Sequence, residues 1–269
     1  MRRTFAQALK NGKIDIKNEY SKLYDLFYLE DERYGQSIKD FVDRNMINMP
    51  FRDTCLTLDE FDEKYGFNFK ENPDDFDEDY LISFCEYFYN FLLYLNDIAF
   101  LNYMEKSLLI QQIQKVVENM GYEGLIEDGF TIFVPKNSVS KEVAQNELVP
   151  EELSYKIIEY NHHSMDLEGK KEILLKLGNI LEPKRDAIKN VNKSLESNMF
   201  YLLNNFNIRH NNIDEDSKYY KQYVAKMTQE ELINIYDLLY QMELLAFIEL
   251  EYSGYKSTID ELKIKSNPI

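Results

Sequence analysis

The sequence predicts a mainly α protein, a helical bundle with one small β-hairpin inserted near the middle. Three observations predict it. Apolar residues recur at i, i+3, i+4 spacing along most of the chain. Capping residues bracket those stretches. One short stretch, GFTIFVP, switches to alternating β-formers behind an Asp-Gly turn signal.

The elements follow in chain order. EYSKLYDLFYLEDERY places Tyr20, Leu23, Tyr24, Phe27 and Tyr28 on one helical stripe. TLDEFDEKYG opens on the capping box Thr57-x-x-Glu60 and stops at Gly66. In NPDDFDEDYLISF the spacing suggests Asn72 as N-cap and Pro73 at the first helical position, with acids in the first turn. The apolar run that follows, YLISFCEYFYNFLLYLNDIAFLNYM, is interrupted by Glu86, Asn90, Asn96 and Asp97. A membrane span wants about 20 apolar residues with few such breaks, so this reads as a buried core helix. EKSLLIQQIQKVVENMG places Leu109, Ile113, Val116 and Met120 on one face and stops at Gly121. A hairpin turning at Asp128-Gly129 comes next, with Phe130, Ile132 and Val134 alternating, and NSVSKEVAQNELVPEE reads as a connection.

Helices resume at PEELSYKIIEYNHH and DLEGKKEILLKLGNILE, and Pro183 ends the second. A single helix is expected over 184–208, with Ile188, Val191, Leu195, Met199, Leu202 and Phe206 as its stripe. That spacing carries Arg209 and His210 to the end of the buried face. The last helix starts at the capping box Thr228-x-x-Glu231 and is apolar through Leu232, Ile235, Leu239, Met242, Ala246 and Phe247. Three regions result: an acidic, aromatic-rich helical region (1–121), the hairpin and connection (122–150), and a C-terminal helical bundle (151–269).

Composition narrows the function classes. A net charge of −17 and a pI near 4.7 repel nucleic acid and anionic membranes at long range. DNA and membrane partners are therefore not expected, and any RNA contact must be local. The stretch from Asp53 to Glu86 is densely acidic, whereas 169–193 is rich in lysine. Charge runs of both kinds are commonly solvated helix faces. Cys55 and Cys85 fit neither a zinc site nor a disulfide framework, which suits a reducing cytosol. The basic N-terminus lacks the apolar run of a secretory signal. Phosphate loops, HExxH and GxSxG are absent, and no cofactor or metal is expected.

The chemistry-bearing candidate is the stretch NNFNIRHNN, residues 204–212. Arginine keeps its charge and forks onto phosphate, and histidine moves protons near neutral pH. With Asn205 and Asn211 nearby, Arg209 and His210 could cleave RNA without metal. On spacing alone the residues fit better a second role: a helix C-terminus closed by its own side chains, where cations favour the dipole and asparagine takes a left-handed cap. His162 and His163, in YNHHSMD, could ligate a metal with Asp166, but a ligand set needs more than this spacing supplies. They read as helix-end histidines or as auxiliary groups to the loop. Lys184, Arg185, Lys189 and Lys193 offer local RNA contacts. Asp75, Asp77, Asp79 and Glu86 match part of a calcium-loop template, but Tyr80 stands where that loop needs glycine.

The run DLEGKKEILLKLGNILEPKRDAIKNVNKSLESNMFYLLNNFNIRHNN, behind GFTIFVPK and SYKIIEYNHH, resembles bacterial abortive-infection proteins. More distantly it resembles the HEPN helical bundles of phage-defence and toxin ribonucleases, including those of toxin–antitoxin pairs. The likeness covers about residues 120–250. It implies an antiviral defence protein, a homodimer or a partner within a defence system, and a metal-independent endoribonuclease site shared across a dimer. In that family an arginine precedes a histidine by a few residues. Arg209 matches the arginine and His210 the polar position after it, but Asp214, Glu215 and Asp216 stand where the histidine belongs. The alternative is a non-catalytic interaction module: a phage-protein sensor, a toxin-neutralising partner or an assembly subunit.

Overall fold

The computed structural model describes residues 14–32, 35–95 and 103–266, with the backbone alone at 103–105 and 257. The basic N-terminal segment 1–13 and the interruptions Asn96 and Asp97 lie outside the described residues. The described chain is mainly helical with a two-stranded antiparallel hairpin in its middle, as the periodicity predicts. It divides into two compact units, residues 1–136 and 137–269, each with its own apolar core.

The first unit holds α1 (Ile16–Tyr28), α2 (Ile38–Asn45), α3 (Leu58–Tyr65), α4 (Glu78–Tyr94), α5 (Tyr103–Asn119), β1 (Tyr122–Glu127) and β2 (Phe130–Pro135). Its core is aromatic. Phe27 of α1 meets Phe84, Tyr87 and Phe88 of α4 at near edge-to-face angles, the geometry the ring quadrupoles favour. Tyr87 donates to Asp62 at 2.9 Å. Burial pushes the Asp62 carboxyl up to about 6, against the pull of that hydrogen bond.

Asn72 and Pro73 do not start α4, which begins at Glu78 with Asp77 accepting from the Tyr80 amide. The preceding strap is pinned by Tyr20 donating to the Lys70 carbonyl and by the Lys70 amide donating to Tyr80. Phe69 and Phe76 pack against the core from this strap, and winding it into helix would withdraw them. With Asp77 capping α4, the partial calcium template does not form a loop.

The polar interruptions of α4 hold the hairpin. Asn90 accepts from the Thr131 amide at 2.8 Å and donates to its carbonyl at 2.7 Å. Glu86, one turn earlier, accepts from the Phe133 amide. A strand edge that would stay unpaired is thereby satisfied by two side chains. The turn sits at Asp128 and Gly129, both with positive φ, 47° and 89°, as a two-residue hairpin requires.

The second unit holds α6 (Ser138–Ala144), α7 (Glu151–Glu159), α8 (Leu167–Leu181), α9 (Arg185–Val191), α10 (Lys193–Asn205), α11 (Gln222–Ala225) and α12 (Gln229–Ser266). The segment expected to be a plain connection thus contains α6, capped by Asn137. Central to this core is Tyr160 stacked on Tyr240 at 3.8 Å. Lys170 lies over the Tyr160 ring and pairs with Asp237 at 2.6 Å.

The helix expected over 184–208 is broken. A 3-10 turn at Glu182–Lys184 leads into α9, and Asn192 then leaves the helical region to cap α10. Its side chain accepts from Leu195 and donates to Glu249 of α12. The break rephases the stripe: Ile188, Leu195 and Met199 are buried, but Val191 is exposed. α12 opens on the full Thr228/Glu231 capping box. It runs on to Ser266, well past Phe247, the last of the apolar positions the pattern marks.

Candidate functional site

The loop after α10 answers what its asparagines do. The helix ends at Asn205, whose side-chain Nδ2 donates back to the Tyr201 carbonyl. Asn207 turns left-handed at φ 60°, a conformation asparagine tolerates. Asn207 and Asn212 then clasp each other. The Asn207 amide donates to Asn212 Oδ1 at 2.8 Å, and the Asn212 amide donates to Asn207 Oδ1 at 3.3 Å. Asn212 Nδ2 reaches the Tyr219 carbonyl at 2.8 Å, and the Lys221 amide donates to the Asn212 carbonyl. Both asparagines are buried. Asn211 forms a local turn with Asp214.

Arg209 and His210 stand within this closed loop, not at the end of a helical stripe. Ile208 takes the buried position instead. The Arg209 amide donates to the Leu203 carbonyl at 3.0 Å. Its guanidinium pairs with Glu182 at 2.5 Å, the side chain being 19% exposed. It also approaches Asn204 Oδ1 at 3.5 Å. His210 lies flat on Tyr219, centroids 3.9 Å apart and planes 10° from parallel. His210 is half-buried and neither imidazole nitrogen bonds a described residue, so the ring is positioned by its face. Sequence spacing could not reveal Glu182 or Tyr219 as partners, because neither lies one helical turn from the pair.

The other candidates divide. His162 is buried with Nδ1 at 2.7 Å from the Ser164 hydroxyl, and its ring meets His163 edge-on at 4.3 Å. Asp166 caps α8, accepting from the Gly169 amide. These histidines lie on the connection between α7 and α8, Arg209 and His210 on that between α10 and α11. Arg185 pairs with buried Glu196 and lies over Phe200 at 4.5 Å, so it braces α9 against α10. Lys184, Lys189 and Lys193 are exposed and make no ion pair among the described residues.

One buried acid behind the loop was not singled out by the sequence, because it sits in an apolar helical stretch. Glu243 of α12 is fully buried, and neither carboxylate oxygen has a hydrogen-bond partner among the described residues. An added Cβ at Gly178 of α8 would come within 3.2 Å of its Oε1. Burial drives its pKa well above the usual carboxylate range, and the charge of Arg209 pulls weakly the other way. The protonated form is thus the folded form's preference, and stability is lost as pH rises above the ordinary Glu value of ~4.3 toward the folded one. Glu243→Met fills similar volume without that cost. Denaturant unfolding of the variant is expected to show a gain of roughly 1–3 kcal/mol at neutral pH. The difference from wild type should widen between acid and neutral pH; a constant or negative difference would contradict the assignment.

Comparison of the chain with family models, with curated proteins and with solved structures returns no match. The functional reading therefore rests on the residues themselves. Among the described residues, no helix is long and apolar enough to cross a membrane.

Proposed function

We propose that this chain is an antiviral defence protein of the abortive-infection type, whose second unit cleaves RNA without metal at the Arg209-His210 loop. The observation that carries this reading is the state of His210. Its ring is held flat on Tyr219, and neither nitrogen bonds a described residue. It also stands next in sequence to an arginine whose charge is never lost. In the chemistry, His210 takes the proton of a ribose 2′-hydroxyl, and the oxygen attacks the adjacent phosphorus. The bond to the 5′ oxygen breaks, and that oxygen recovers the proton, leaving a cyclic phosphate and a 5′-hydroxyl. Arg209 would stabilise the extra negative charge, for which it must leave Glu182. Lys184, Lys189 and Lys193 supply the exposed cations that would hold the strand.

A second reading is favoured by the same Arg209–Glu182 pair. A guanidinium already held by a carboxylate, beside Asp214, Glu215 and Asp216, suits a loop that holds the bundle closed. The protein is then a non-catalytic module of a defence system, with the acidic first unit as its partner surface. Incubation of the purified protein with total RNA and a chelator separates the two. Cutting under chelation supports the nuclease. Intact RNA with both wild type and Glu182→Gln, which frees Arg209, supports the module.

A further inference from the structure

α12 outruns the core it belongs to. Its last fully buried apolar residue is Phe247, yet the helix continues to Ser266. Over 252–266, every described side chain is exposed. This tail contains Gly254, with nothing within 4 Å of an added Cβ, and the β-branched pair Thr258 and Ile259. Both are poor helix formers, and helices in proteins draw most of their stability from packing of an apolar face. Such a face exists; within its own unit Ile248 packs against the core and Tyr255 borders a cavity shared with residues 145–148.

Numbered as heptads, Leu238, Leu245, Tyr252 and Ile259 occupy one seam position, and Gln241, Ile248, Tyr255 and Leu262 the other. Of the apolar members all but the half-buried Ile248 are exposed, from Ile259 at 41% to Leu262 at 57%. The seam is some 37 Å long at 1.5 Å per residue. The interior positions of α12, including Leu239, Tyr240, Glu243, Ala246 and Phe247, lie on its other faces and fill the core of the second unit. One helix therefore carries two separate apolar faces, one covered and one open.

We infer that the open face is a parallel two-stranded coiled-coil seam that pairs with a second copy of this chain. Three observations fix that occupant. Apolar residues sustained at alternating three- and four-residue spacing are the pattern that supercoils with a like helix. In the part of the seam beyond the core, Ile259 and Leu262 follow the β-branched-then-leucine preference of parallel dimers, whereas Leu245 and Ile248 stand in the reverse order. The flanking charges choose the direction. In a parallel pair Glu251 of each copy faces Lys256 of the other, twice, and no like charges oppose. Laid antiparallel over the same length, Glu249 and Glu251 would each face their own counterparts. The inference is independent of RNA cleavage, because it uses α12 alone.

Sedimentation of the full chain over a range of concentrations tests it. The expected result is a reversible species of twice the 32.1 kDa chain mass. Ile259→Glu with Leu245→Glu should return it to monomer while circular dichroism of the remaining helices persists. Glu251→Lys or Lys256→Glu alone should weaken pairing about tenfold or less, and the two together should restore it. Leu262→Cys should form a disulfide between copies under oxidation, which only a parallel register permits. A chain monomeric at all concentrations overturns the proposal. So does a dimer indifferent to the paired glutamates, or one that L262C fails to cross-link.

Discussion

Replacing His210 by alanine is expected to lower RNA cleavage by ~10²–10⁴-fold, the range that loss of a positioned general base produces. The fold should survive, because the ring rests on a partly exposed tyrosine and bonds no buried group. A cleavage-rate series with unfolding curves measured alongside separates chemistry from stability. Glu182→Gln provides the complementary arm. It removes the charge that holds Arg209 at 2.5 Å, so cleavage should rise if that arginine must turn toward phosphate. Unchanged RNA degradation in the His210→Ala variant assigns the activity elsewhere. A fall of the same size in Tyr219→Leu would show that stacking, as well as the imidazole, holds the geometry.

How much of this was legible in the sequence depends on the range over which each signal acts. The hairpin turn was readable because Asp128-Gly129 is a local requirement for two positive φ values. The stops at Gly66 and Gly121 were readable for the same reason. The capping boxes at Thr57 and Thr228 lie within one turn of their partners, and Thr228/Glu231 formed in full.

What failed was long-range. Asn192 broke an otherwise continuous helical pattern because Glu249, far away in sequence, offers an acceptor that a mid-helix asparagine could not reach from a regular turn. Glu86 and Asn90 looked like interruptions of a core helix, yet they satisfy the free edge of the hairpin. Local pattern cannot distinguish a polar residue that weakens a core from one that reaches across it to a backbone. The loop follows the same rule. Its asparagine content was visible, but the pairing of Asn207 with Asn212 and of Arg209 with Glu182 required the fold.

The clasp bears the second large prediction. Asn212→Ala should cost about 2–4 kcal/mol, because it strands the buried Asn207 amide and frees the Tyr219 carbonyl. The lost bonds sit at the two ends of the excursion from Asn207 to Tyr219, so their removal should loosen what lies between. His210 and Tyr219 are stacked across that same clasp. In the variant, the ring-current shift of the His210 imidazole protons should shrink toward random-coil values, and the Asn207 amide should exchange faster than amides in α8. Asn212→Asp tests the donor side alone: Oδ1 can still accept from Asn207, but a carboxylate would face the Tyr219 carbonyl, so stability should fall again. A variant with unchanged stability and an intact ring-current shift would mean the backbone holds the loop without its asparagines. Loss of the stack with little loss of global stability would place the clasp as a local device whose consequence is the orientation of His210.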